Sequence, residues 1–143
     1  MVCVKEVKPR KVISAAIIYD KRILVVKKRH SWILPGGKPE RNESALECLS
    51  REINEELPGT VLDKESIQHY KIFRGISPHK GDLIENDVYF AKIKGTKLGY
   101  PGKEISEARW IKNLETYNLS DVTFKVINSL ITKGYVNYEI LKS

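Results

Sequence analysis

Long apolar runs are missing from this chain of 143 residues. No stretch approaches the roughly 20 apolar residues that a bilayer span requires, so no membrane helix is expected. The first eleven residues, MVCVKEVKPRK, carry no apolar segment of the kind a secretory leader needs. Cysteine is scarce. Cys3 and Cys48 cannot build a disulfide framework or a four-ligand zinc site, and a reducing, cytoplasmic setting is the default expectation. Histidine is equally sparse, and His30, His69 and His79 are scattered, so no Ser-His-Asp set emerges. Repeats and low-complexity tracts are absent. What remains is an ordinary globular composition, 41% apolar and 30% charged. By length, residues 1–143 are expected to form one domain.

Acidic residues are in deficit, with 18 against 25 Lys and Arg for a net charge of +7, and their placement says more than the total. Residues 1–41 hold 11 basic against 3 acidic residues, residues 42–66 hold 2 against 7, and residues 67–143 hold 12 against 8. A compact acidic block therefore lies between basic flanks. Such a block is either a solvated helix face or a carboxylate cluster that holds metal within a field attracting a phosphate-bearing anion.

Val12–Tyr19 and Ile23–Val26 read as strands joined by a turn at Asp20-Lys21. Prolines and adjacent glycines in Trp32–Pro39 predict no regular structure there. A helix is expected from about Glu43 to Leu57, strands at Ile67–Ile76, Val88–Ile93 and Ile105–Ile111, and a second helix from Val122 to Gly134 with its N-cap in Leu119-Ser120-Asp121. Strands as sequence neighbours with two separated helices favour an α/β fold, a mixed sheet flanked by helices, over alternating βαβ units.

On the first helix, Leu46, Leu49, Ile53 and Leu57 share an arc of roughly 80° and predict the core face. Glu52, Glu55 and Glu56 share a second arc of about 100°. Like charges at that spacing destabilise a helix, and a divalent cation held by oxygen ligands offsets the cost. Arg51 stands where it can orient a carboxylate through bidentate hydrogen bonds. Cys48, on the acidic arc, reads as a small buried hydrophobe. Pro58-Gly59 ends the helix.

Gly37, five residues, Glu43, seven residues, then Arg51-Glu52-Ile53-Asn54-Glu55-Glu56 resembles the signature of Nudix hydrolases, G-x5-E-x7-R-E-U-x-E-E-x-G-U, with U a bulky apolar residue. The match runs from Gly37 through Leu57. It departs at Pro58, which precedes Gly59 where the family has glycine at once, and Asn42 stands where glycine often precedes the glutamate. The resemblance implies the Nudix α/β/α sandwich. It implies Glu55 and Glu56 as principal Mg2+ ligands (or Mn2+), Glu52 as a further ligand or the base for water, Arg51 as its orienting partner and the Gly36 carbonyl as a backbone ligand. Glu43 would fix the loop–helix junction. Glu104, in Glu104-Ile105-Ser106-Glu107-Ala108-Arg109-Trp110, is expected to be the additional ligand or general base, with Glu107 as its competitor.

The implied reaction is hydrolysis of the pyrophosphate linkage of a nucleoside diphosphate derivative. Cations neutralise phosphate oxygens and acidify water, and a carboxylate takes the proton. Lys28, Arg29 and Lys38 bracket the glycine loop, and strand alternation aims some of the cations there at substrate phosphates. Trp32, Tyr70, Phe73 and Tyr89 are either base-stacking or core residues, and Trp32 is the stacking candidate retained. The expected substrate is a nucleoside triphosphate or oxidised nucleotide, as in small MutT-type members. ADP-ribose or a nucleotide sugar is the alternative that Ser77-Pro78 suggests. A dinucleoside polyphosphate or RNA 5' end is compatible with the basic surface but not favoured. A non-catalytic phosphate or RNA binding module is the reading of another class, and the carboxylate set argues against it, since unneutralised carboxylates repel nucleic acid. Oligomeric state is not legible. Residues 1–11 are free to extend a sheet or reach a partner, so a homodimer is compatible with the chain.

Overall fold

A computed structural model describes residues 8–95, 97–112 and 117–137. Among the described residues seven strands and two helices follow in the order β1 (Arg10–Tyr19), β2 (Arg22–Lys28), β3 (Ser31–Ile33), β4 (Gly36–Gly37), α1 (Ala45–Glu56), β5 (Leu62–Ile76), β6 (Leu83–Ile93), β7 (Ile105–Ile111) and α2 (Asp121–Thr132). β1 is the organising strand. From Arg10 through Ile17 it pairs in parallel with β6, its middle pairs antiparallel with β4 on the other edge through Ile13 and Ser14, and its end makes a tight hairpin with β2. Asp20 and Lys21 turn that hairpin in the left-handed region, the geometry that matches the twist of the flanking strands. β5 extends the sheet beyond β6, and β3 and β7 flank β2.

Two apolar layers cover this mixed sheet. Leu49, Ile53 and Leu57 of α1 pack with Ala15, Ile17, Leu24 and Val26 on one side. Val122, Val126, Ile127 and Leu130 of α2 pack with Ala16, Val25, Ile84 and Val88 on the other. The arrangement is the α/β/α sandwich. Burial of these branched side chains, at about 1.5–3 kcal/mol each, is the main force holding helices to sheet. Both helices begin on a serine cap. Ser44 forms a full capping box with Glu47, and Ser120 accepts from the Thr123 N–H. Among the described residues no helix is long and apolar enough to cross a membrane.

Several sequence expectations need correction. Trp32–Pro39 does contain regular structure, because β2 and β1 offer free edges on which Trp32-Ile33 and Gly36-Gly37 add short strands around Pro35. β5 starts at Leu62, five residues earlier than its apolar pattern. The early part is polar and bulged, held by the Ser66 hydroxyl, which donates to the Asp63 carbonyl and accepts from the Lys92 N–H. β6 starts at Leu83, since pairing on both edges recruits the polar run Glu85-Asn86-Asp87. Leu46 is 43% exposed and is not a core residue, because α1 begins only at Ala45 and its first turn projects past the sheet.

Candidate active site

The glycine pair decides how α1 meets the sheet. A side chain on Gly36 would strike the backbone of Ile13 and Ser14, and one on Gly37 would strike the Glu52 carboxylate. Glycine at both positions therefore lets β4 pair with β1 while α1 lies directly against it. The consequence is chemical. The Gly36 N–H donates to Glu56 Oε1 at 2.8 Å, and Glu52 fills the space over Gly37. Asn42, at φ 65°, makes the left-handed turn into the helix that glycine would otherwise supply.

Arg51 lies behind the carboxylates and ties them together. Its guanidinium donates to Glu43 at 2.7 and 2.9 Å, to Glu52 at 2.8 Å and to the Lys38 carbonyl at 3.1 Å, and it stands 3.5 Å from Glu55. These bonds hold the Glu43 carboxyl down to about 2 and raise the Arg51 pKa. Glu43 thus joins the loop to the helix. Cys48 is fully buried, its thiol pushed up to about 12 by burial, which makes it inert packing.

Glu52, Glu55, Glu56 and Glu104 line one cleft of about 430 Å³, together with Gly36, Lys28, Arg29 and Lys38. Glu56 is only 6% exposed, and burial pushes its carboxyl up to about 8 against the hydrogen bond from Gly36. Burial likewise raises Glu52, against the pull of Arg51. Two carboxylates are thus confined in a poorly solvated place with too little positive charge, which is the donor set of a hard divalent cation. Among the described residues no three acidic, His or Cys side chains already stand close enough to form a metal cage. The three helix carboxylates share the cleft, with Arg51 reaching both Glu52 and Glu55, and Glu55 is the most exposed of the three.

Glu104 reaches the cleft by a tertiary connection. The N–H groups of Gly102 and Lys103 donate to the carbonyls of Glu56 and Glu55, so the segment before β7 docks on the C-terminal end of α1. Glu104, at φ 64°, then pairs with Lys28 at 3.1 Å, which lowers its pKa. Glu107 points elsewhere. It pairs with Lys27 and Arg109 outside the cleft.

Trp32 is a correction. It is 7% exposed, stacked edge-on against Tyr117 in the α2-side core, and it does not line the cleft. Tyr70 and Phe73 pack on the same core and Tyr89 on the opposite one. Sequence reasoning missed other cleft residues. Arg10, held by Asp82 and Ser77, forms one wall with His79 and Lys80. Asn86 and Ser14 lie on the floor. Strand register brings Arg10, Ser14 and Asn86 together and the turn between β5 and β6 adds His79 and Lys80, and the sequence signal of Ser14 and Asn86 is a polar residue inside an apolar strand.

The family model described as NUDIX domain matches residues 8–127. A curated relative, the mRNA-decapping protein g5R of African swine fever virus (isolate Pig/Kenya/KEN-50/1950), is 27% identical over 128 residues, covering 76% of this chain. The chain spans about half the length of that relative, 50%. Among solved structures, a nudix hydrolase family member from Chromobacterium violaceum superposes with a TM-score of 0.68 at 24% identity, covering 90% of this chain and 80% of its own. A MutT NUDIX hydrolase from Burkholderia pseudomallei does so with a TM-score of 0.62 at 24% identity, covering 85% and 97%. The fold agrees with these structures, and the chain belongs to the NUDIX family.

Proposed function

We propose that the chain hydrolyses the pyrophosphate linkage of a nucleoside diphosphate derivative with Mg2+ or Mn2+, and that a nucleoside triphosphate or oxidised nucleotide is the substrate. The observation that carries this reading is the opposition within one cleft of the half-buried Glu52 and the buried Glu56 to Lys28, Arg29 and Lys38. Glu52, Glu55, Glu56, Glu104 and the Gly36 carbonyl would hold the cation, which when bound neutralises phosphate oxygens and acidifies water. Lys28, Arg29 and Lys38 bind the polyphosphate and fix it against the glycine loop. Glu52, steadied by Arg51, accepts the proton of the attacking water. The small cleft suits a mononucleotide better than a dinucleotide.

A panel of nucleoside triphosphates, an oxidised nucleotide, ADP-ribose, nucleotide sugars and capped RNA, assayed with Mg2+ and Mn2+ in ¹⁸O-water, tests this directly. Triphosphates should give monophosphate and pyrophosphate. Turnover of none of these compounds would sink it, as would turnover that survives Glu56→Gln intact. A second reading, an RNA 5'-end pyrophosphohydrolase, is favoured by the likeness to an mRNA-decapping protein and by the net charge of +7. Capped RNA outpacing every mononucleotide in the same panel would select it.

A further inference from the structure

The cleft has a second end that carries no carboxylates. Arg10, Val12 and Ser14 of β1 stand in register with Ile84, Asn86 and Val88 of β6, and in a parallel pair such partners face the same way. That face is the α2 side, where Ile84 and Val88 join Val122 in the core. Asn86 is 6% exposed, lines the cleft, and its Oδ1 is fully buried with no hydrogen-bond partner. An unpaired buried amide oxygen costs about 1–3 kcal/mol, so its retention points to a donor that is not part of the protein.

We propose that Asn86 reads the nucleobase of the substrate, its amide pairing with a base edge that offers an N–H beside an acceptor. This rests on the nucleotide reading above. Three features fit. Asn86 lies two strands from Gly36 by way of β1, a separation on the order of 10 Å, which a phosphate and a ribose span. The surrounding walls, Val12, Ile84, Leu34 and Val122, are apolar and suit a flat ring. Phosphate has no donor for Oδ1 at neutral pH, whereas every base carries an N–H next to an acceptor, the pattern an Asn amide matches. The terminal amide torsion is soft, so the group turns to meet its partner at little cost.

The test uses ligands that cannot be cleaved. The ¹⁵N-labelled full chain is titrated with AMP, GMP, CMP, UMP and ribose 5-phosphate, and the Asn86 side-chain NH₂ signal, identified by its loss in Asn86→Asp, is followed. At least one nucleotide should shift that signal while ribose 5-phosphate leaves it still. Asn86→Leu should weaken that nucleotide about tenfold and leave ribose 5-phosphate unchanged. Its thermal midpoint should not fall, since the oxygen removed has no partner to lose. The assignment is overturned by a signal that no nucleotide moves, by an equal shift with ribose 5-phosphate, or by unchanged or uniformly weakened binding in Asn86→Leu. Because no turnover is read, loss of this assignment leaves the hydrolysis reading standing, and Glu56→Gln decides that reading separately.

Discussion

The two helices are the same length and start on the same kind of serine cap, yet they are built to opposite ends. α2 commits Val122, Val126, Ile127 and Leu130 to the core and places no unneutralised charge in it. α1 commits Leu49 and Ile53 to the core and, beside them, confines Glu52 and Glu56 where water is poor. Arg51 and the Gly36 N–H offset part of that charge. The lesson is that the sheet and α2 supply stability, which α1 partly gives up to hold carboxylates at the cleft.

The sharpest way to break that contrast is Glu56→Gln. Turnover should fall at least about a thousandfold. Stability should move the other way in metal-free protein. A carboxyl held up to about 8 in the fold, against 4.5 ordinarily, stabilises below pH 4.5 and progressively ceases to as pH rises to 8. Wild type should therefore lose on the order of a few kcal/mol across that window, Glu56→Gln, which keeps only the raised Glu52, should lose markedly less, and Mg2+ at pH 8 should stabilise wild type more than the variant. Thermal melts at pH 4.5 and 8 decide it, and two parallel profiles would contradict the charge argument.

Leu130→Ala probes the other helix. It should cost about 2–5 kcal/mol in denaturant unfolding while the folded fraction keeps its kcat. A comparable loss of kcat would mean that α2 shapes the chemistry directly. Arg51→Lys keeps the charge but not the fork that spans Glu43 and Glu52, so kcat should fall about 10- to 100-fold. Equal activity in that variant would reduce Arg51 to a simple counter-charge. Finally, Glu104→Gln should lower kcat about tenfold, while Glu107→Gln, outside the cleft, should stay close to wild type. The reverse order would move the docked loop's role to β7.

How much of this could be read beforehand differs between the two faces. On α1 the periodicity of Leu49, Ile53 and Leu57 and the spacing of Glu52, Glu55 and Glu56 are local, so the helix and its acidic arc were legible. Leu46 was misplaced because periodicity does not say where the sheet beneath the helix ends. The strand starts of β5 and β6 were missed because their first residues are polar and become strand only by pairing with neighbours. Trp32 was misassigned for a related reason. An aromatic beside a glycine loop has two faces to choose from, and only the packing of Tyr117 and α2 settles which one it takes.

Order along the chain fixed the helix carboxylates, the arginine between them and the glycine pair opposite, because a helix and a tight turn place residues a few positions apart without help from elsewhere. The three-dimensional fold alone chose Glu104 over Glu107, set Arg10 and Asn86 into the cleft, and forced Glu56 out of water. Those outcomes depend on strands and loops distant in sequence meeting side by side, and on how much solvent is excluded when they do.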